Sequence, residues 1–346
     1  MMSTDGEKSS GDSKVILSVV GPAFNEAHSL EEFVDRCLTG FAAVGVDGEI
    51  LIVDDGSTDE TNEIMRKLLG LHPNVVRCFM HRRNLGLTKA MKTGFENAGG
   101  EIILMLPTDL ECHPDEDIPI FIEGFREGAD VVACFRKSRG DGKIVLSKIY
   151  NVVSNWLFGM SLKDMNWIKG FRRECTATLE MRGDWHRFIL MMLHTAGYRI
   201  IEKEVQWYPR RYGKSKFGKM RIPLSLVDAV SIWFMLTFSR KPMRLFGSMG
   251  IFSGILGVLI HLGLVIYYVA ASTQIRPLFW TALVLELFAV QLVFFGFLTE
   301  LIERVRDDMD AVQIKNKEKP PMWIELGQSD SSKNPPDTPQ RTRELA

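Results

Sequence analysis

The sequence predicts an α/β domain built on a mainly parallel sheet, followed by an interfacial helix and a two-helix transmembrane hairpin. Three observations predict it. Short apolar runs alternate with segments of helical spacing between residues 15 and 135; two long stretches, 245–271 and 278–299, carry a single charged side chain between them, Glu286; and basic residues crowd the junction of the two parts. Continuous apolar runs separated by helices are the pattern of strands buried on both faces, because crossover helices cover both sides of a parallel sheet.

Residues 15–20 form the first run, and Leu30, Phe33, Val34, Cys37, Leu38 and Phe41 then recur at helical spacing. Residues 50–53 lead through Asp54, Asp55, Gly56 and Ser57 into a helix reaching about residue 69, for which Ser57, Thr58 or Asp59 supplies the cap. Residues 75–80 precede a helix at 88–97, residues 102–106 precede one at 117–127, and 131–135 close the series. Beyond Lys143 the pattern is more helical, with a helix at 185–196 and a strand at 198–207. The expected boundaries are a disordered N-terminus at 1–14 without a signal peptide, an α/β domain at 15–217, an interfacial amphipathic region at 218–243, the hairpin at 244–303, and a disordered cytoplasmic tail at 307–346.

A net charge of −1 over 346 residues gives no reason to expect a nucleic-acid partner, but the distribution of charge is informative. Both apolar stretches reach the roughly 20 residues that cross a bilayer core. Arg210, Arg211, Lys214, Lys216, Lys219, Arg221, Arg240, Lys241 and Arg244 precede the hairpin, whereas its connection at 272–277 carries Arg276 alone. That asymmetry predicts an integral membrane protein with the large domain and both termini cytoplasmic. The apolar segment at 222–238 holds Pro223 and Asp228 between cationic flanks, so it reads as a helix lying in the interface, with a third span as the alternative. Gly250, Gly254, Gly257 and His261 share one helical face, which permits close approach within the hairpin or between protomers of a homo-oligomer. His261 and Glu286 fall at comparable depth and are expected to pair. The five cysteines lack a CxxC spacing and read as reduced thiols; Cys112-His113, near Asp109 and Glu111, is the one place where a transition-metal role competes with a buried thiol and a loop histidine.

In an open α/β sheet, ligands gather outside the carboxyl ends of the strands. The first strand delivers Asn25 and Glu26 to that edge, the second Asp54 and Asp55, and the fourth Asp109 and Glu111. Alternate carboxylates suit a hard cation, Mg²⁺ or Mn²⁺, bound partly by protein and partly by substrate phosphates. The motifs run in order: P-A-x-N-E from Pro22, V-D-D-G-S-x-D from Val53, N-x-G at Asn84 and Gly86, the acidic strand end, and R-x-x-G-x-S-K at Arg210, Gly213, Ser215 and Lys216. In them the chain resembles glycosyltransferase family 2, of GT-A (Rossmann-like) fold, and within it the polyprenyl-phosphate sugar transferases similar to dolichol-phosphate mannose synthase.

The resemblance implies that Pro22, Ala23, Glu26 and Asp54 line the nucleoside pocket, joined by Asn25, Asp55 and Gly86, and that Asp109 with Glu111 holds the metal. Pro107 departs from the pattern, standing where the first Asp of a D-x-D is expected, and Glu111 fits a position that is often Gln. Asp164 to Arg172 resembles the family's D-x-x-S-G-F-R, which implies that Asp164 organises the metal or the acceptor phosphate and that Arg172 contacts an anion; a salt bridge across a loop is the alternative. His186 falls where related enzymes often have an acidic residue near the acceptor, or else on a helix surface. A lipid phosphate is already an anionic nucleophile, so the site needs cations rather than a base, and Arg210, Arg211, Lys214, Ser215 and Lys216 answer that need, the alternative being a juxtamembrane basic patch that only fixes topology and attracts anionic lipid. The catalytic set is then Asp109, Asp164, Arg210 and Lys216, transferring a sugar with inversion from a nucleotide-sugar to a polyprenyl phosphate. Transfer to a hydroxyl acceptor, or a nucleotide-binding scaffold without catalysis, are the competing readings.

Overall fold

The computed structural model describes residues 17–137, 144–179, 181–211, 221–238, 242–273, 275–315 and 323–327. Apolar strands and amphipathic helices alternate: β1 (Leu17–Ala23), α1 (Leu30–Val44), β2 (Gly48–Asp54), α2 (Thr61–Leu71), β3 (Val76–His81), α3 (Leu87–Asn97), β4 (Ile102–Met105), α4 (Pro114–Arg126), β5 (Val131–Arg136) and α5 (Ile144–Phe158). Then come β6 (Lys169–Arg172), short 3₁₀ turns at Arg173–Thr178 and Trp185–Phe188, α6 (Ile189–Thr195) and β7 (Ile200–Val205). The chain continues into α7 (Arg221–Phe238), α8 (Pro242–Ala271), α9 (Arg276–Lys315) and β8 (Trp323–Leu326).

The strands form one sheet in the order β7-β5-β6-β4-β1-β2-β3-β8. β1 pairs in parallel with β2 and β4, β2 with β3, and β5 with β7. β6 runs antiparallel between β4 and β5, and β8 antiparallel along β3. Side chains alternate across the strands, so each face of the sheet has its own core. One face buries Phe33, Val34, Met65 and Phe121 from α1, α2 and α4; the other buries Met91, Phe95, Leu190 and Leu193 from α3 and α6.

The predicted parallel sheet is present, and two strands were not expected. β6 is four residues long and contains Lys169 and Gly170, too short and mixed to signal a strand. β8 falls inside the segment expected to be a disordered tail, which is a correction: α9 runs on to Lys315, and Trp323–Leu326 joins the sheet. Trp323 meets Phe79 edge-on at 5.0 Å and Arg77 Nε donates to Glu325 at 3.1 Å, so alternate side chains of β8 find partners on β3. The expected helix at 185–196 is divided, with a 3₁₀ turn before α6. The expectation for residues 1–14 lies outside the described residues.

Among the described residues, Met243–Ala271 and Arg276–Val305 are long and apolar enough to cross a membrane, and Asp228–Thr237 of α7 is a shorter apolar helix. α8 and α9 pack as a close hairpin. A Cβ on Gly257 would lie 2.8 Å from Glu286 Cγ, and one on Gly250 would lie 2.9 Å from the Ala289 carbonyl, so the small-residue face is used within the hairpin. His261 Nδ1 and Glu286 Oε1 are 2.7 Å apart, as expected from their depth. α7 packs on α5 through Ala229, Ile232 and Tyr150.

Candidate functional site

Loops following β1 and β2 interlock at the carboxyl edge of the sheet. Asn25, at φ 57°, takes the left-handed backbone that Asn tolerates better than most residues. Its amide N–H donates to Ser57 Oγ and its side-chain oxygen accepts from Thr58 N–H, both at 2.8 Å. Glu26 N–H donates to Thr61 Oγ1 at 3.0 Å. Asp54 is wholly buried; Ser57 N–H donates to its two oxygens at 3.0 and 3.2 Å, and the Ser57 hydroxyl donates to Oδ1. Burial raises the Asp54 pKa, while the Ser57 hydrogen bonds oppose that shift.

Asp55 is engaged differently from the sequence expectation. Its Oδ1 accepts from Leu85 N–H and lies 2.8 Å from His81 Nδ1, and its Oδ2 accepts from Gly86 N–H at 2.8 Å. Both oxygens are therefore turned inward, at the N-terminus of α3, where a negative charge is favoured. Gly56 (φ 75°) allows this: a Cβ there would lie 2.5 Å from the Arg83 carbonyl carbon. Gly86 (φ 91°) lies just before α3 in the same loop. Pro22 and Ala23 support the wall through their carbonyls, which accept from Thr108 Oγ1 at 3.0 Å and from Asp55 N–H at 2.9 Å.

The loop after β4 faces this wall. Leu110 is buried and sits at φ 59°, a strained conformation for a branched residue. Asp109 and Glu111 flank it and converge on one guanidinium: Arg210 Nη2 pairs with Asp109 Oδ2, and Arg210 Nε donates to Glu111 Oε1 at 2.8 Å. Burial and the neighbouring Asp109 charge raise the Glu111 pKa, with Arg210 opposing them. Arg210 also feels the charge of Glu26, so the acidic loop and the β1 loop share one crevice. The segment carrying Arg210 is pinned there, because Tyr208 N–H donates to the Glu111 carbonyl at 3.0 Å and its ring stacks on His113 at 3.6 Å.

The other expected site residues are engaged by different partners. Asp164 pairs with Arg136, its Oδ2 accepting from Nε at 2.8 Å and lying 2.7 Å from Nη2. Arg172 is a correction: β6 is antiparallel, so Arg172 pairs with Ile102 at the start of β4, at the end of the sheet away from the crevice. Its Nε donates to the Ala129 carbonyl at 3.2 Å. Arg211 reaches Glu32 on α1 at 3.1 Å. Gly213, Lys214, Ser215 and Lys216 lie outside the described residues. Among the described residues no group of three or more His, Cys, Asp or Glu side chains is placed to hold a metal, and Cys112 is a buried thiol. The sequence reading missed Arg136, His81 and Lys169, each the terminal residue of a short strand; His186, by contrast, touches Thr88 Oγ1 at the start of α3, 2.8 Å from its Nδ1.

The family model described as glycosyl transferase family 2 matches residues 18–191. The chain is 33% identical over 304 residues to the dodecaprenyl-phosphate galacturonate synthase of Rhizobium johnstonii, covering 84% of this chain and 89% of that protein. It is 29% identical over 300 residues to the undecaprenyl-phosphate 4-deoxy-4-formamido-L-arabinose transferase of Pectobacterium atrosepticum, covering 85% and 90%. Among solved structures, glucosyl-3-phosphoglycerate synthase from Mycobacterium tuberculosis is 17% identical with a TM-score of 0.49, over 64% of this chain and 78% of that chain.

Proposed function

Because the chain belongs to glycosyl transferase family 2, we propose that it transfers a sugar from a nucleotide-sugar to a polyprenyl phosphate at a membrane surface, inverting the anomeric centre. The observation that carries this reading is the convergence of Asp109, Glu111 and Arg210 at the end of β4, opposite the Glu26 and Asp54 loops. Relatives that the chain matches almost end to end act, by name, on dodecaprenyl and undecaprenyl phosphates, and two helices here are fit to cross a bilayer.

The residues divide the work as follows. Glu26 and the buried Asp54 line the nucleoside side of the crevice, while Asp55 turns inward and holds the loop before α3 in place. The two carboxylates that now share the Arg210 guanidinium are hard oxygen donors aimed at one point, so they fit a divalent cation whose remaining positions phosphates and water would fill. Mg²⁺ or Mn²⁺ held by Asp109 and Glu111 would supply positive charge to the departing diphosphate. Arg210, released from those carboxylates, adds a guanidinium suited to phosphate geometry. In the transfer an oxygen of the lipid phosphate bonds to the anomeric carbon, the bond from that carbon to the donor phosphate oxygen breaks, and the electron pair leaves with the nucleoside diphosphate. No proton moves, so no general base is required.

The test is release of nucleoside diphosphate by the full chain from a panel of nucleotide-sugars with Mg²⁺ or Mn²⁺. Turnover that needs the polyprenyl phosphate is the expected result. Turnover with a hydroxyl acceptor alone, or nucleotide binding without turnover on any acceptor, overturns the proposal.

A further inference from the structure

β6 brings to the ligand edge a buried cation that the reaction above does not use. Because β6 is antiparallel, its first residue, Lys169, lies where β4 ends, opposite Met105 of β4 and Ala133 of β5. From Met105 the chain runs directly into the loop that carries Asp109 and Glu111. Lys169 is 2% exposed and among the largest fully buried side chains. The carboxylate acting on it is Asp164, whose Oδ2 already lies within 2.8 Å of Arg136 Nε and Nη2 and whose Oδ1 accepts from Asn166 N–H at 3.2 Å. Arg136 is half-buried, with its guanidinium 4.5 Å from the Trp167 ring centre, and its charge reaches Glu111. Among the described residues, two cations thus draw on one carboxylate at the edge beside the acidic loop.

A buried ammonium without its own counter-ion is costly. The cost shows as a pKa lowered to about 8 by burial, with Asp164 opposing the shift. Apolar packing does not need this amine, since a methionine fills a similar volume. An anion arriving with the substrate would remove the imbalance. The donor diphosphate is served by Arg210 and the acidic loop, and the lipid phosphate approaches from the basic juxtamembrane segment. The remaining substrate group is the sugar.

We propose that Lys169 is a specificity-determining residue whose ammonium receives a carboxylate on the transferred sugar, so that the donor is a nucleotide-linked uronic acid; this rests on the donor-site reading above.

The experiment is equilibrium binding to the purified full chain with Mn²⁺, using matched donors that differ only at C6: UDP-galacturonate against UDP-galactose, UDP-glucuronate against UDP-glucose, and GDP-mannuronate against GDP-mannose. The wild-type protein is expected to favour one uronate by about tenfold or more, the scale of a charge-assisted hydrogen bond in a desolvated site. Lys169→Met should bring that ratio close to unity while binding of the free nucleoside diphosphate persists, and Lys169→Arg should retain part of the preference. A packing defect would weaken both members of a pair equally, so the ratio separates recognition from structure. No uronate preference in the wild type, or a preference that survives Lys169→Met, overturns the proposal. So does a variant that raises KM for undecaprenyl phosphate with the donor ratio unchanged, because the anion then belongs to the acceptor. Failure of every nucleotide and donor to bind would instead remove the donor-site reading itself.

Discussion

Arg210 occupies the point on which Asp109 and Glu111 converge, and that makes it a competitor of any cation those carboxylates bind. Arg210→Gln should therefore tighten Mn²⁺ binding by the donor-free protein several-fold, measured by electron paramagnetic resonance, while slowing turnover because the diphosphate loses a partner. Weaker or unchanged Mn²⁺ binding would show that the guanidinium does not compete. A second residue reports on stability. Asp117, buried in the first turn of α4 beside Glu116 and Asp115, has a pKa raised by burial to about 8, and among the described residues its Oδ2 has no hydrogen-bond partner. Since the folded pKa lies above the unfolded value, the folded protein holds a proton that the unfolded chain releases from about pH 4 upward, and the stability this contributes is lost as pH rises towards 8. Asp117→Asn is expected to match wild type near pH 4 and to exceed it by up to about 5 kcal/mol at pH 8, read as a shift in Tm. A difference that does not grow with pH would remove this account of Asp117.

At the scale of elements, the hairpin offers the sharpest test. A His and a Glu held 2.7 Å apart on facing helices satisfy each other in a medium where either alone is expensive. His261→Leu and Glu286→Leu should each lower Tm in detergent, and the double variant should lose less than the sum of the two, by about 0.5 kcal/mol or more. Additive losses, or none, would mean that the pair does not couple. This contact was legible in the sequence because helical rise converts residue number into depth. The acidic strand ends were legible for a related reason: parallel strands share a direction, so apolar runs that each end in carboxylates must send them to one edge. Strand direction is not written in a four-residue segment. The reversal of β6 placed Arg172, expected to contact an anion, at the far end and left Lys169 at the crevice. Asp55 misled differently, because a carboxylate at a strand end serves a helix N-terminus as readily as a ligand. β8 was hidden by the polar, Pro-rich chain around it, although Trp323, Glu325 and their partners on β3 are specific.

At the scale of the molecule, β8 bears on how the chain crosses the membrane. It follows α8 and α9 in sequence yet pairs with β3 of the catalytic sheet, so the chain must return to the side from which it left. An even number of crossings separates β7 from β8. Two crossings by α8 and α9, which their length and apolarity allow, would satisfy this, and the prediction is then that α7, packed on α5, lies along the interface and not across it. Positive charge before α8 then favours the cytoplasm for the sheet. The native cysteines are buried, so a single introduced thiol can be followed against little background. Glu63→Cys on α2, Ile324→Cys on β8 and Thr273→Cys in the hairpin connection report the three relevant positions. A membrane-impermeant maleimide added to intact cells should label Thr273→Cys alone, and the other two only after permeabilisation. Labelling of Ile324→Cys and Glu63→Cys from opposite sides would require α7 to span and would be incompatible with the β3–β8 pairing. With all three positions protected together, the hairpin would not cross at all, and the basic segment would need another route to a lipid phosphate.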